Sequence, residues 1–243
     1  MKLGIVASAY SVPAGGGTLT LTSGATGSTT TSAAVSTTTA SYTPVANSTC
    51  FLYASFGLTG AGGTLLESVT STSGLTFTSV VRSAGAHSFG SGYYQYHALY
   101  RTEIGASPSA HTITFTPFTS TTTSFTTIHA FSAKTSLGGG VTVVQNAPIN
   151  TSGSGTAVLT LSAAPSTANT VISLIGGNVD TPFAAQAAIS GQTILVNPTP
   201  ITYNVGAIFY STGTTGTTVT QTAAGVGSSL SARGGIIAEL LAA

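Results

Sequence analysis

Apolar and polar residues alternate along most of this chain in short runs, separated by clusters of Gly, Ser, Pro and Asn. That period of two, punctuated by turn residues, is the signature of β-strands. TITFT at residues 112–116 is representative, with Ile113 and Phe115 on one face and threonines on the other. Thr is β-branched and favours extended backbone, so such runs read as half-buried strands. The pattern predicts strands at 35–42, 49–56, 75–81, 93–101, 111–115 and 125–131. A second set follows at 141–144, 157–162, 170–175, 193–196, 202–210, 217–221 and 235–241. The one helical candidate, residues 183–189, is Ala-rich but is closed by Gly191, so a single turn is the most it predicts. Residues 1–32 have the weakest pattern, with three successive glycines and one alternating piece at 18–22. They read either as an edge strand or linker, or as a flexible N-terminal arm that docks on a neighbouring subunit.

The densest apolar run of the first half, CFLYASF at 50–56, follows a turn containing Pro44, Ala46 and Asn47. The same phrase returns as Pro165, Ala168 and Asn169 ahead of VISLI at 171–175. At this offset of 122, Cys50 falls against Ile172 and Leu52 against Leu174. Tyr93 and Tyr100 match Tyr203 and Tyr210 at an offset of 110, and GLTFTSVV at 74–81 matches GQTILVNP at 191–198 at 117. Ile113 with Val219 and Ile128 with Ile237 continue the series, at 106 and 109. Offsets that drift at loops while the strands keep their order predict an internal pseudo-repeat, about 33–137 and 138–243. Two such units packed face to face would share one apolar layer.

Composition narrows the function classes. Five Lys and Arg oppose four Asp and Glu in 243 residues, which leaves no basic stripe for a phosphate backbone and no acidic cluster for a hard cation. Nucleic acid is therefore not an expected partner, and with no run approaching 18 consecutive apolar residues to predict a membrane-spanning helix, neither is a membrane. Leu, Ile, Val and Phe make up about 23% of the chain, just above the level at which chains stop folding, and the low net charge removes self-repulsion. A folded protein is expected. Cys50 is the lone cysteine, so no disulfide framework or zinc pattern exists, and its apolar surroundings predict an inert core thiol. The apolar run near Met1 is short and broken by Gly4, so a cleaved leader is not expected. Exposed Thr-rich edges with so little Lys or Glu to blunt them invite pairing between molecules, which predicts that an assembly covers them.

Candidate chemistry is sparse. The richest cluster is YYQYHALYR at 93–101, where a strand would set Tyr93, Gln95, His97, Leu99 and Arg101 on one face and Tyr94, Tyr96, Ala98 and Tyr100 on the other. Aromatic platforms with polar neighbours stack on sugar rings, so Tyr93, Tyr94, Tyr96, His97, Tyr100 and Arg101 form a candidate glycan surface, against the alternative that they fill space in the sandwich. His87, His97, His111 and His129 lack the spacing of a ligand pair. Glu67, Glu103, Asp180 and Glu239 stand in no carboxylate motif, no serine sits in a nucleophile elbow, and the glycine runs at 15–17 and 138–140 lead into no phosphate-binding helix. No metal, no cofactor and no enzymatic activity are expected. The sequons at Asn47 and Asn150 are of the kind a Ser- and Thr-rich chain produces by accident.

The succession of a Thr-rich strand, an Ala-Asn turn, an apolar strand, GLTFTSVV, an aromatic strand ending in HALYR, HTITFT and a strand ending in IHAFSA resembles recurrent β-sandwich proteins of bacteriophage particles and metagenomic viral contigs. SGTAVLTLSAAP, TANTVISLIGG and the closing GGIIAELLAA continue the resemblance, which covers about residues 33–243. It implies an all-β, antiparallel, jelly-roll-like β-sandwich and a structural virion protein made in the host cytoplasm. Capsid decoration is the leading role, ahead of tail or fibre. The implied partners are other virion proteins, a major capsid or tail protein, and copies of the chain itself. The rival reading is a carbohydrate-binding adhesin or lectin-like module that takes surface glycans. This chain departs from the resemblance in being poorer in charge and in its extra N-terminal segment.

Overall fold

The computed structural model describes residues 17–31, 36–59, 65–83, 87–89, 93–118, 124–152, 157–179, 191–196, 205–214, 216–221 and 230–242. Their regular structure is all β. In chain order the strands are β1 (Leu19–Thr31), β2 (Thr37–Thr38), β3 (Ser48–Thr59), β4 (Leu65–Ser71), β5 (Thr78–Arg82), β6 (His87–Phe89), β7 (Tyr93–Ile104), β8 (Ile113–Phe118) and β9 (Ser124–Thr135). They continue with β10 (Val141–Ser152), β11 (Ala157–Thr160), β12 (Thr170–Val179), β13 (Thr193–Val196), β14 (Val205–Thr212), β15 (Thr218–Gln221) and β16 (Leu230–Ala242). The 183–189 helical candidate, Asp180 and the sequence expectations for residues 1–16 lie outside the described residues.

Every pairing is antiparallel. The first large sheet runs β1-β9-β3-β7-β5, with β6 also on β7, and the second runs β10-β16-β12-β14-β13. A small sheet β2-β8-β4 and a two-stranded sheet β11-β15 complete the set. Side chains decide how these stack. On β3, Cys50, Leu52, Ala54 and Phe56 point to one side and pack with Ile113 and Phe115 of β8. Phe51 and Tyr53 point to the other side and pack with Ile172, Leu174, Ile208, Ile236 and Leu240 of the second large sheet. Behind that sheet, Val171, Ile175, Phe209 and Ile237 pack on Leu159 of β11 and Val219 of β15. The two large sheets therefore share a middle layer, and each has a further core behind it.

This stacking explains the dense apolar runs. A strand covered on both faces loses its alternation because both sets of side chains are buried, and β3 and β12 are such strands. Burial of each large side chain stabilises by about 1.5–3 kcal/mol, and Phe51 adds a stacked contact with Phe131 at 5.1 Å between centroids.

Two expectations need revision, and the described part of the N-terminal segment takes the edge-strand alternative. Residues 19–31 form a long edge strand paired with β9 from Leu19 opposite Thr135 to Thr31 opposite Ser124, with a register shift between Ser23 and Thr26. Leu19 and Leu21 reach the middle layer, while the Thr38 carbonyl lies so close to Gly27 that any Cβ there would collide with it. The 35–42 strand shrinks to β2 and an isolated bridge from Tyr42 to His111, and β4 and β6 were not anticipated. The offset of 122 is also out of register by facing. Cys50 and Leu52 lie behind their sheet, whereas Ile172 and Leu174 lie in the middle layer. A slip of one residue reverses every side chain on a strand, so Cys50 corresponds in facing to Val171 and Phe51 to Ile172. Tyr100 and Tyr210 differ in the same way, Tyr100 lying in the first core and Tyr210 against the middle layer.

Candidate functional site

Strand β7 carries the aromatic cluster, and it is an interior strand with β3 on one side and β5 and β6 on the other. His97 is fully buried and Tyr100 nearly so. Tyr96 is half-buried and stacks on Phe56, with centroids 5.4 Å apart. The Tyr100 hydroxyl donates to Glu67, which also pairs with Arg82 at 2.9 Å. Half-buried Arg101 donates to the Val141 carbonyl at 3.2 Å. Tyr93 and Tyr94 belong to the strand, but their side chains lie outside the description. The four residues with described side chains thus point into two different layers and make no common open platform.

The structure instead brings together residues that sequence spacing keeps apart. Tyr53 stands directly opposite His129 in the β3–β9 register, and its ring lies between His97 and His129, with centroids at 6.1 and 6.3 Å. The Tyr53 hydroxyl and His97 Nδ1 share a hydrogen bond of 2.9 Å. Beside them Gln95 donates to the Ser55 hydroxyl at 2.8 Å, and Ser83 accepts from the His97 amide at 3.0 Å. All of these side chains are buried. Here the apolar middle layer turns polar.

His129 has no solvent access. Neither ring nitrogen has a hydrogen-bond partner, and the Thr127 hydroxyl next to it on the strand also lacks one. Burial pushes the imidazole down to about 4; the neighbouring Gly206 backbone works the other way without reaching hydrogen-bond geometry. Gly206 of β14 is required at this point, because a Cβ there would sit 2.7 Å from His129 Nε2. Burial likewise raises the Tyr53 hydroxyl well above its usual range.

Elsewhere the described carboxylates have local partners. Glu103 accepts from Thr49, and Glu239 accepts from Gln145, Asn169 and the Ser166 amide. Each described carboxylate is thus engaged by a different set of residues. The Cys50 thiol lies 3.1 Å from the Tyr42 hydroxyl, and burial pushes it up to about 11, a value the Tyr42 hydrogen bond only moderates. It is a packing group. Among the described residues, no cluster of three or more His, Cys, Asp or Glu is placed to hold a metal ion, and no helix is long and apolar enough to cross a membrane.

One open cavity of about 210 Å³ is lined by Pro44, Leu75, Ile104, Pro108, His111 and the hydroxyl side chains of Ser73, Ser107 and Ser109. It lies among the loops that flank β3, β4, β7 and β8, and no charged side chain lines it. No protein-family model, curated protein or solved structure matches the chain. The sequence offered no route to the Tyr53 cluster, since Tyr53, His97 and His129 come from three different strands. A histidine and a tyrosine inside apolar strands were the only available signal.

Proposed function

We propose that this protein is a structural component of a bacteriophage particle, a capsid decoration or auxiliary protein that acts by assembly. The observation that carries this reading is the stack of antiparallel sheets whose outward strands are rich in threonine and nearly free of charge. On β2, β4 and β8, Thr38, Thr70 and Thr114 stand in one cross-strand row, with the Thr38 and Thr114 hydroxyls 2.8 Å apart. Such a surface has little charge to oppose close packing of copies. Affinity would come from many weak contacts repeated by symmetry.

The scaffold is read further as two jelly-roll-like units from one duplicated strand set. Supporting this, β1-β9-β3-β7-β5 and β10-β16-β12-β14-β13 list their strands in the same relative order. The pairs β2–β8 and β11–β15 stand behind them alike. The test is assembly. The purified protein should be oligomeric, or should copurify with particles at a fixed stoichiometry. A strictly monomeric protein that binds no particle overturns the reading.

Carbohydrate binding is the second reading, and the uncharged cavity around His111 favours it more than β7 does. A broad glycan array with Ser107→Trp as the blocked control tests it: binding lost on blocking supports the idea, and an array without binding removes it.

A further inference from the structure

Across their shared apolar layer, the described residues tie the two large sheets by hydrogen bonds at the start of β10 and bury an imidazole without a hydrogen-bond partner farther along. At the joint, the Val141 amide donates to Thr49 at 2.9 Å, and its carbonyl accepts from Arg101. Thr135 and Gly139 close the preceding turn, the Gly139 amide donating to the Thr135 hydroxyl at 2.9 Å. Tyr53 lies four residues along β3 from Thr49, about 13 Å at the rise of a strand. There Tyr53 and His129 of the first sheet, with His97 stacked beside Tyr53, close the middle layer against Gly206 of the second. The cores behind the sheets contain none of these residues.

We infer that the middle layer is an acid-operated latch: the sheets are hinged at Val141, and protonation of His129 parts β14 from β9 while each large sheet keeps its own pairing. A charge at His129 would be buried with neither ring nitrogen in a hydrogen bond, and the Gly206 backbone offsets only part of the cost of that burial. Burying an unpaired charge is costly, and opening the layer to water removes the cost. Among the described residues, the titratable groups against the ring are Tyr53 from β3 and His97 from β7. The facing residues of β12, β14 and β16 in this layer, Ile172, Leu174, Gly206, Ile208 and Ile236, cannot take up a proton or supply a counter-charge. Burial holds the ring neutral in the closed layer down to about pH 4, and an opened layer returns it toward its ordinary 6.5. Closure is therefore fully favoured above pH 6.5 and weakens as pH falls from 6.5 toward 4.

The experiment is amide hydrogen exchange of the full chain between pH 7.5 and 4.5, corrected for intrinsic rates, together with NMR titration of the His129 ring. Wild type should show at least tenfold faster relative exchange in β12 and β14 on acidification, with slow exchange kept in β3 and β7. The opening midpoint should coincide with the His129 titration. His129→Leu should abolish the acid response. The inference is overturned if the two midpoints differ in wild type, if all strands lose protection together, or if His129→Leu responds to acid as wild type does. The wild-type comparison stands alone should the variant fail to fold. Because it uses isolated protein, it is independent of whether the chain belongs to a virion.

Discussion

The Thr49 hydroxyl donates to both carboxylate oxygens of Glu103, at 2.9 and 3.1 Å, while accepting the Val141 amide. Thr49 is fully buried and Glu103 is exposed, so the hydroxyl ties the start of β10 to the β3–β7 pair from inside. Thr49→Val keeps the shape and removes the hydroxyl. The Val141 amide is then left without its acceptor, at a cost of about 1–3 kcal/mol. Urea unfolding should show a lower midpoint with an unchanged slope; a variant as stable as wild type would mean that water replaces the hydroxyl.

Cys50 gives a second prediction. Its thiol is buried behind β3 and is shifted up to about 11 by that burial, and only the thiolate attacks disulfide reagents. Labelling by an aromatic disulfide at pH 8 should be slow in native protein and stoichiometric in urea, with a midpoint matching that of unfolding. Rapid labelling of native protein would place the thiol at an accessible surface.

What the sequence made legible follows from where its information is local. Alternation and turn residues announce an all-β chain, and CFLYASF and VISLI announce interior strands. β1 was legible only as one alternative, an edge strand with an alternating piece at 18–22, because Gly24, Gly27 and its many hydroxyl residues dilute its apolar signal, and its order comes from backbone pairing with β9. β4 hid because Glu67 interrupts a short run, and Arg82 and Tyr100 compensate that charge from other strands. Facing is the harder loss: Cys50 matched Ile172 by composition, yet one residue of register separates the two layers. The Tyr53, His97 and His129 cluster was unreadable for a related reason, since cross-strand neighbours depend on register that spacing does not encode.

Tyr96 and Tyr100 separate a structural role from a binding one. Tyr100→Phe removes a hydrogen bond to Glu67 and should cost about 1–2 kcal/mol. Tyr96→Ala removes the ring stacked on Phe56 and should cost about 2 kcal/mol or more. Glycan-array signals, if wild type gives any, should be the same for Tyr100→Phe. Loss of glycan binding without loss of stability would return β7 to the role of a recognition strand.

Glu239 makes the last prediction, through pH. It is buried in β16, where burial alone would raise its carboxyl. Three donors, Gln145, Asn169 and the Ser166 amide, outweigh that effect and hold the group below its ordinary 4.5. Gln145 in turn accepts from Ser162 and the Ala163 amide and donates to the Ala163 carbonyl, so one carboxylate orders the 162–169 turn. A depressed carboxyl contributes stability above 4.5 and loses it as pH falls through the folded value, because the unfolded chain takes the proton first. Glu239→Gln cannot accept all three donors in the same geometry and should cost about 2–4 kcal/mol at neutral pH. Its stability should also fall less steeply than that of wild type below pH 4.5. His129 acts in the higher window, between 6.5 and 4, so urea midpoints of both single variants measured from pH 7.5 to 3 should assign the two limbs of acid loss to different residues. Identical limbs in Glu239→Gln and wild type would show that the carboxylate network forms equally well with a neutral amide.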